Sequence, residues 1–189
     1  MLLIDEIDDH YLLSLTFAKA SISDPEQTLR QLRYISSEAK VQLVKADLIG
    51  GPEHLQFAAR NALHSFSGPQ RRSKSLAVEL LLYISCQRQI AKAIKLLGVD
   101  SRDSRVALVA LSDSKNAILE LDRQASSVIG GERDRNLIEI GSRHKMDVLQ
   151  RSYGITGREM EATRLVGEAD SSVLKRLIIE RSALLDIRD

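Results

Sequence analysis

The segment Gln87-Arg88-Gln89 holds the side chains of this sequence that are best suited to bind a charged ligand. Two amide groups flank one guanidinium group, and both kinds of group donate hydrogen bonds to phosphate oxygens and to nucleobase edges. Lys92 and Lys95 follow Arg88 at helical spacing, so the same helix face continues the positive charge. The pattern predicts a site for a phosphate-bearing partner.

The charge distribution agrees with such a partner. The whole chain has a net charge of +1, whereas seven cations and two anions fall in residues 52–98, which gives that part a net charge of +5. A dense local cluster of cations suits a phosphate-bearing partner better than the charge of the whole chain does. Two alternatives stay open. The cations could form a solvated surface, and residues 87–89 could mark a helix junction whose side chains cap backbone groups.

Cys86 is the single cysteine of the chain and the first residue to consider for catalysis. Arg88 lies two residues away, and a nearby cation could favour the thiolate. No histidine is adjacent in sequence, and a small buried or half-buried thiol is the commoner role of such a residue. The sequence therefore predicts no catalytic residue, and an enzyme that uses Cys86 is kept as an alternative.

Metal and cofactor motifs are missing from the sequence. The four histidines are isolated from further histidine, cysteine or carboxylate ligands at the spacing that a zinc site needs. The two Gly-Gly pairs do not form a phosphate-binding loop or a dinucleotide fingerprint. We expect no metal, no cofactor and no small-molecule substrate.

Two consecutive helices must position the polar segment. Nearly every side chain from Leu76 to Ile84 is apolar, with Glu79 as the exception, so this helix is buried on most sides. From Ile90 to Leu97 the apolar residues recur at i, i+3, i+4 and i+7, which is typical of a helix with one buried face, and Gly98 is a good stop. A buried helix thus ends in a polar patch beside a row of cations.

The rest of the chain predicts an α/β (α+β) fold. Short strands are expected at residues 11–20, 41–47, 106–111 and 137–140. Helices are expected to begin at or directly after Asp24, Gly51, Ser75, Ser114, Ser142, Thr156 and Asp170. These elements suggest a small central sheet of about four short strands, largely antiparallel or mixed, with helices on both faces. We expect one domain over residues 1–189, with a helical C-terminal part, residues 142–189, packed on the α/β body.

Composition narrows the class of protein and its compartment. No apolar run reaches the roughly 20 residues that a bilayer-spanning helix needs, so we expect no membrane partner. The acidic start of the chain does not read as a signal peptide, and a single cysteine suits a reducing compartment. We therefore expect a folded cytoplasmic protein.

A second helix and a loop are predicted to enlarge the polar patch. Arg60 and Asn61 lie on a helix that could pack beside the buried one, and Arg71, Arg72 and Lys74 lie in the loop between the two. Together these residues would form a concave basic surface with apolar neighbours, for which Leu63, Ile84 and Leu97 are the candidates. The chain has no tryptophan, four tyrosines and three phenylalanines, which disfavours a long channel of stacking platforms and favours a compact pocket for one or a few nucleotides.

Several stretches of this sequence resemble the PRPK-binding protein (TPRKB-like) family, whose members are accessory subunits of the KEOPS (EKC) complex; the archaeal members look most similar. The matching stretches are residues 45–55, 58–62, 75–90, 93–94, 98, 153–156 and 180–187. The most specific part is Gln87-Arg88-Gln89-Ile90 after the Glu-containing apolar helix. Cys86 departs from the pattern, since the family often has glycine there.

The resemblance implies a role without catalysis. Such proteins dock on a small atypical kinase that acts as an ATPase, and they bind the single-stranded 3′ CCA end of a tRNA. The complex then makes N6-threonylcarbamoyladenosine in that tRNA. An alternative is a regulator of the kinase that makes no RNA contact of its own.

The resemblance and the charge pattern together give two sets of candidate residues. Gln87, Arg88 and Gln89 match the family motif directly as tRNA-binding residues. Spacing and charge extend this set to Arg60, Asn61, Lys74, Lys92 and Lys95. The kinase-docking surface is expected to be apolar and helical, and its candidates are Leu177, Arg181, Leu184 and Leu185.

Overall fold

Five strands form one antiparallel sheet in the computed structural model, which describes residues 4–69 and 71–186. The strands are β1 (Ile4–Ile7), β2 (His10–Ala18), β3 (Lys40–Lys45), β4 (Val106–Ser112) and β5 (Glu132–Arg133). Their order is β1-β2-β4-β3, and the two-residue strand β5 pairs with one end of β2. The sheet matches the predicted fold class; β2, β3 and β4 are three of the four expected strands, whereas β1 and the short β5 were not predicted.

Strand β4 lies between β2 and β3, so it is a central strand of the sheet. Its register pairs Leu108 with Leu15 on one side and with Leu43 on the other. Every residue of β4 is buried, because helices cover both faces of the sheet. A strand covered on both faces requires the continuous apolar sequence that made β4 recognisable.

Eight α-helices surround the sheet in the described part of the chain. They are α1 (Pro25–Ile35), α2 (Pro52–Ser67), α3 (Leu76–Ser85), α4 (Ile90–Leu97), α5 (Lys115–Ile129), α6 (Arg143–Tyr153), α7 (Gly157–Thr163) and α8 (Asp170–Ala183). Helices α1 and α5 pack on one face of the sheet, and α2, α3 and α4 pack on the other. Helices α6, α7 and α8 share a further apolar cluster, and α8 packs against α2 and α3.

Most helices begin where their capping residues predict. The side chains of Asp24, Ser114 and Ser142 each accept a hydrogen bond from a backbone N–H group in the first turn of the helix that follows. Helix α7 begins directly after Thr156, as expected, and Thr156 forms a reciprocal capping box with Glu159. Local sequence therefore determines these boundaries.

Two local predictions are wrong. Residues 137–140 do not form a strand, since Arg135–Ile138 is a 3-10 turn capped by Asp134, whose apolar residues pack into the core. Four residues are too few for periodicity to separate a strand from a buried turn. Ser75 precedes α3 as expected, but its side chain makes no capping bond, because the side chain of Glu79 binds the preceding backbone instead.

The last described helix, α8, is followed by a short turn. Helix α8 ends at Ala183, and a 3-10 turn follows at Leu184–Asp186. Ile187, the last residue of the family-like stretch, lies outside the described residues.

In the part of the chain that the structure describes, none of the helices is long and apolar enough to cross a bilayer.

Candidate functional site

The polar segment lies at a sharp junction between α3 and α4. Cys86 adopts the left-handed conformation, with φ of 52° and ψ of 33°. The N–H groups of Cys86 and Gln87 donate to the carbonyls of Tyr83 and Leu82 at 3.3 and 3.1 Å, which is the Schellman ending of a helix. The junction itself is therefore closed by backbone bonds.

This closure leaves the side chains of the segment available. Gln87 is half-buried, and Arg88 and Gln89 are exposed. Gln89 occupies the cap position of α4 without a capping bond from its side chain, and none of the three side chains hydrogen-bonds to another described residue. Residues 87–89 do form a helix junction, but among the described residues their side chains are not what caps it.

The three side chains line an open cleft of about 350 Å³. Its remaining walls come from α4, from the end of α6 and from the end of α8. The lining residues are Cys86, Gln87, Arg88, Gln89, Lys92, Tyr153, Arg181, Leu184 and Leu185. This set holds three cations and, among the described residues, no carboxylate, so the cleft attracts anions.

Apolar side chains complete the cleft on the side of the C-terminal turn. Leu184 is half-buried and Leu185 is 5 % exposed. The predicted apolar neighbours were different: Ile84 and Leu97 are fully buried in the core, and Leu63 is 9 % exposed. The apolar part of the site thus comes from the C-terminal turn, which the sequence pattern did not place near residue 87.

The floor of the cleft is a buried tyrosine. The Tyr153 hydroxyl lies 2.8 Å from the carbonyl oxygen of Leu48 and 2.9 Å from that of Ile84, and burial raises the pKa of Tyr153 well above its usual value. The ring of His54 packs edge-on against it, with 5.8 Å between the ring centroids. Burial lowers the pKa of His54 to about 4, so this imidazole is neutral at pH 7. The floor is therefore uncharged and firmly held.

Cys86 is a structural thiol in this arrangement. Its Sγ atom lies 3.5 Å from the carbonyl oxygen of Ile178, which connects the end of α3 to α8. Burial raises the pKa of Cys86 to about 12, although the charge of Arg181 opposes the rise. The thiolate that nucleophilic catalysis requires is scarce at neutral pH, which disfavours the enzyme hypothesis.

Arg181 lies in this cleft although the sequence suggested a docking role for it. Its Nη2 atom donates to Oε1 of Glu159 at 2.7 Å and to the carbonyl oxygen of Gly154 at 3.1 Å. Its Nε atom is buried without a hydrogen-bond partner among the described residues. Leu184 and Leu185, from the same predicted set, lie beside it in the cleft, whereas Leu177 is 6 % exposed and belongs to the core.

The other predicted tRNA-binding residues lie outside the cleft. Arg60 is exposed on α2, where its guanidinium lies 6.0 Å from the Phe57 ring centroid, and Asn61 is half-buried. Lys74 is exposed in the loop before α3. Lys95 is exposed one turn beyond Lys92 on α4. The structure thus brings Gln87, Arg88, Gln89 and Lys92 into the cleft, and the remaining four do not line it.

The basic loop before α3 is only partly a surface. Arg71 is exposed, but the guanidinium of Arg72 donates to the Tyr83 hydroxyl at 3.3 Å and to the Leu185 carbonyl oxygen at 2.7 Å. Arg72 therefore supports the cleft wall from inside. A carboxylate in an apolar helix needs buried donors, so Glu79 did signal that the loop before α3 folds inward; it accepts from the backbone N–H of Arg72.

A second polar cleft lies beside the start of α6 and has a different charge balance. Its volume is about 460 Å³, and its charged lining residues are Asp47, Glu139, Arg105 and Lys145. Asp47 already pairs with Arg105 at 2.8 Å. Burial lowers the pKa of Lys145 to about 8. Because its charges balance, this cleft has no comparable preference for an anion.

Within residues 4–69 and 71–186, no three potential ligand side chains gather in a way that could hold a metal ion.

Comparison with known proteins identifies the family. Residues 20–186, which include every residue that lines the first cleft, match the family described as kinase binding protein CGI-121. The chain belongs to this family. The match confirms the resemblance that the segments around residues 45–55 and 75–90 indicated.

A curated relative supports the same assignment. The regulatory protein Cgi121 of Methanocaldococcus jannaschii is 32 % identical to this chain over 101 residues. The match covers 53 % of this chain and 61 % of the relative's own length. The family is thus described by kinase binding, and the relative from Methanocaldococcus jannaschii by a regulatory role.

Proposed function

We propose that this protein is a non-catalytic regulatory subunit that binds a kinase and holds the 3′ end of a tRNA in the cleft beside α4. The observation that carries the RNA half is the cleft itself. Arg88, Lys92 and Arg181 converge there with the amides of Gln87 and Gln89, and no carboxylate is found among the described lining residues. Phosphate contacts dominate the affinity of such a site.

The size and lining of the cleft favour a single-stranded end over a duplex. A volume of about 350 Å³ suits one nucleotide rather than a helix of RNA. Amide groups can read a base edge, and the Leu184 side chain offers an apolar surface for a base. A free 3′ end is the part of a tRNA that can enter such a cleft without unpairing.

The kinase half of the proposal follows from the family. Its members are described as kinase-binding, and the family resemblance implies a small atypical kinase of the KEOPS complex in the cytoplasm. The complex would make N6-threonylcarbamoyladenosine, with this subunit recruiting the tRNA. Leu177 and Leu185 are buried, so Arg181 and Leu184 are the more accessible of the four predicted docking residues.

A fluorescence titration with intact tRNA and with tRNA that lacks the terminal CCA tests the RNA half. We expect salt-sensitive binding that falls sharply when CCA is removed. Arg88→Ala should weaken binding of intact tRNA roughly tenfold through the loss of one phosphate contact. The control Arg30→Ala removes an exposed cation from α1, on the opposite face of the sheet, and should leave affinity unchanged.

Two results would contradict this proposal. Equal affinity for intact and trimmed tRNA would exclude recognition of the 3′ end. No tRNA binding at any salt concentration, together with a stable complex between this protein and the kinase on size-exclusion chromatography, would support the alternative of a kinase regulator without RNA contact.

A further inference from the structure

Arg181 and Arg176 both lie on α8, but they differ in how many of their guanidinium nitrogens are hydrogen-bonded. Arg176 has its Nε and Nη2 atoms within 3.3 Å of the Glu168 carboxylate, and Nη2 also donates to the Thr163 carbonyl oxygen. Arg181 is anchored through Nη2 alone, and its Nε–H group is buried without a partner among the described residues. The anchor thus leaves the other N–H groups of the Arg181 guanidinium without a partner among the described residues.

The anchor of Arg181 is itself held in place. Oε2 of Glu159 accepts from the Thr156 backbone N–H at 2.7 Å, and the Glu159 backbone N–H donates to the Thr156 hydroxyl. The capping box of α7 thus fixes the carboxylate whose Oε1 holds the Arg181 guanidinium. An arginine that is fixed on one side can bind an anion on its other side with little further loss of side-chain freedom.

The charges around Arg181 indicate which class of ligand it could bind. The cleft that it lines contains Arg88 and Lys92 and no described carboxylate, so a phosphate oxygen is the acceptor that the local charge favours. Glu159 pairs with Arg181 but is not among the residues that line the cleft.

We infer that Arg181, which the Glu159 carboxylate holds in place, is a phosphate-binding residue for the RNA 3′ end. This inference rests on the proposed function and changes the role of Arg181 from kinase docking, which the sequence predicted, to RNA binding. The phosphate lies between Arg181 and the α4 side of the cleft, where Arg88 and Lys92 contribute the other charges.

The test measures tRNA affinity between about 50 and 200 mM salt for the wild type, Arg181→Gln, Arg181→Lys and Arg176→Gln. Each phosphate contact on a single strand contributes about 0.7 to the slope of log K against log salt. We expect Arg181→Gln to reduce the slope by about this amount and to weaken binding roughly tenfold. Arg181→Lys should keep the slope and lose part of the affinity, because lysine keeps the charge without the fork of donors. Arg176→Gln should match the wild type.

Kinase binding by the same variants gives the second readout. An unchanged slope in Arg181→Gln, with a wild type that binds tRNA through its CCA end, would overturn the inference and leave the proposed function standing. Loss of kinase binding without loss of tRNA binding would overturn it in favour of the docking role. If Arg181→Gln does not fold, Arg181→Lys decides, and an unchanged affinity there overturns the inference. A wild type that binds no tRNA would overturn the proposed function and this inference together.

Discussion

The two ends of α3 both carry polar and basic residues, but only one end leaves them available to a ligand. At the first end, Oε1 of Glu79 accepts hydrogen bonds from the backbone N–H groups of Arg72 and Ser73 at 2.6 and 2.5 Å. At the other end, Arg88 is exposed and its side chain hydrogen-bonds to no described residue.

The difference comes from one carboxylate. Glu79 is fully buried one turn inside α3, so the chain before the helix folds onto it and Arg72 is drawn inward. The sequence from Gln87 to Leu97 contains no acidic residue that could do the same for Arg88 or Lys92. Positive charge beside a buried acid becomes part of the structure, and positive charge without one stays free to bind anions.

The largest expected effect on stability comes from removing the buried carboxylate of Glu79. Glu79→Ala should lower the free energy of unfolding by about 3 kcal/mol or more, because two partly buried backbone N–H groups lose their acceptor. Urea denaturation measures this change. Glu79→Gln keeps an oxygen at the same place and should lose clearly less. Equal losses in the two variants would show that the acceptor is not what organises this end of the helix.

The buried His54, which packs against Tyr153 in the floor of the cleft, predicts that the stability of the protein depends on pH. Burial, with a smaller contribution from the charge of Lys145, lowers the pKa of His54 to about 4, whereas the unfolded chain has a value near 6.5. The unfolded state therefore binds more protons between these two values. Stability is fully present above about pH 6.5 and should fall by about 3 kcal/mol as the pH drops towards 4.

A matched variant isolates the contribution of His54. Carboxylates also titrate at the acid end of this range, so the informative quantity is the difference between the wild type and His54→Gln, measured by urea denaturation at several pH values. The difference should shrink as the pH falls from 6.5 to 4. A constant difference would mean that His54 is not held neutral beneath the cleft.

The hydroxyl of Tyr153 tests how firmly the floor is tied to α3. Tyr153→Phe should lower the free energy of unfolding by about 1 to 2 kcal/mol, since the carbonyl groups of Leu48 and Ile84 share its single O–H donor and lose it. Tyr34→Phe is the control, because Tyr34 is 92 % exposed and should change stability by less than about 0.5 kcal/mol. Similar effects of the two substitutions would contradict the arrangement of the floor.

Local sequence patterns predicted the framework of this fold well. The continuous apolar run of β4 and the capping side chains of Asp24, Ser142 and Thr156 each fix a structure through residues that are neighbours in sequence. The pattern failed at residues 137–140, where a short apolar stretch packs as a turn. There the decisive contacts are with the distant core, which no local period records.

Only the α3–α4 side of the cleft could be predicted from the sequence. Residues 87–89 stood out by type and spacing, and the structure does place them in a cleft. Arg181 and Leu184 reach the same cleft because α8 packs against α3, and nothing in the local sequence of α8 specifies that neighbour. Charge alone also could not separate Arg72 from Arg88, since the difference depends on how the chain before α3 folds onto Glu79 and on the contact of Arg72 with Leu185.

The smallest expected effect on stability belongs to the exposed end of α3. Arg88→Gln should change the free energy of unfolding by less than about 0.5 kcal/mol, because its side chain has no bond to lose within the described chain. Arg72→Gln is the matched variant and should cost about 1 to 3 kcal/mol, through lost bonds to the Tyr83 hydroxyl and the Leu185 carbonyl. Urea denaturation of both variants decides the comparison. If Arg88→Gln destabilises the protein as much as Arg72→Gln does, both ends of α3 are structural, and the cations of the cleft are not kept free for a ligand.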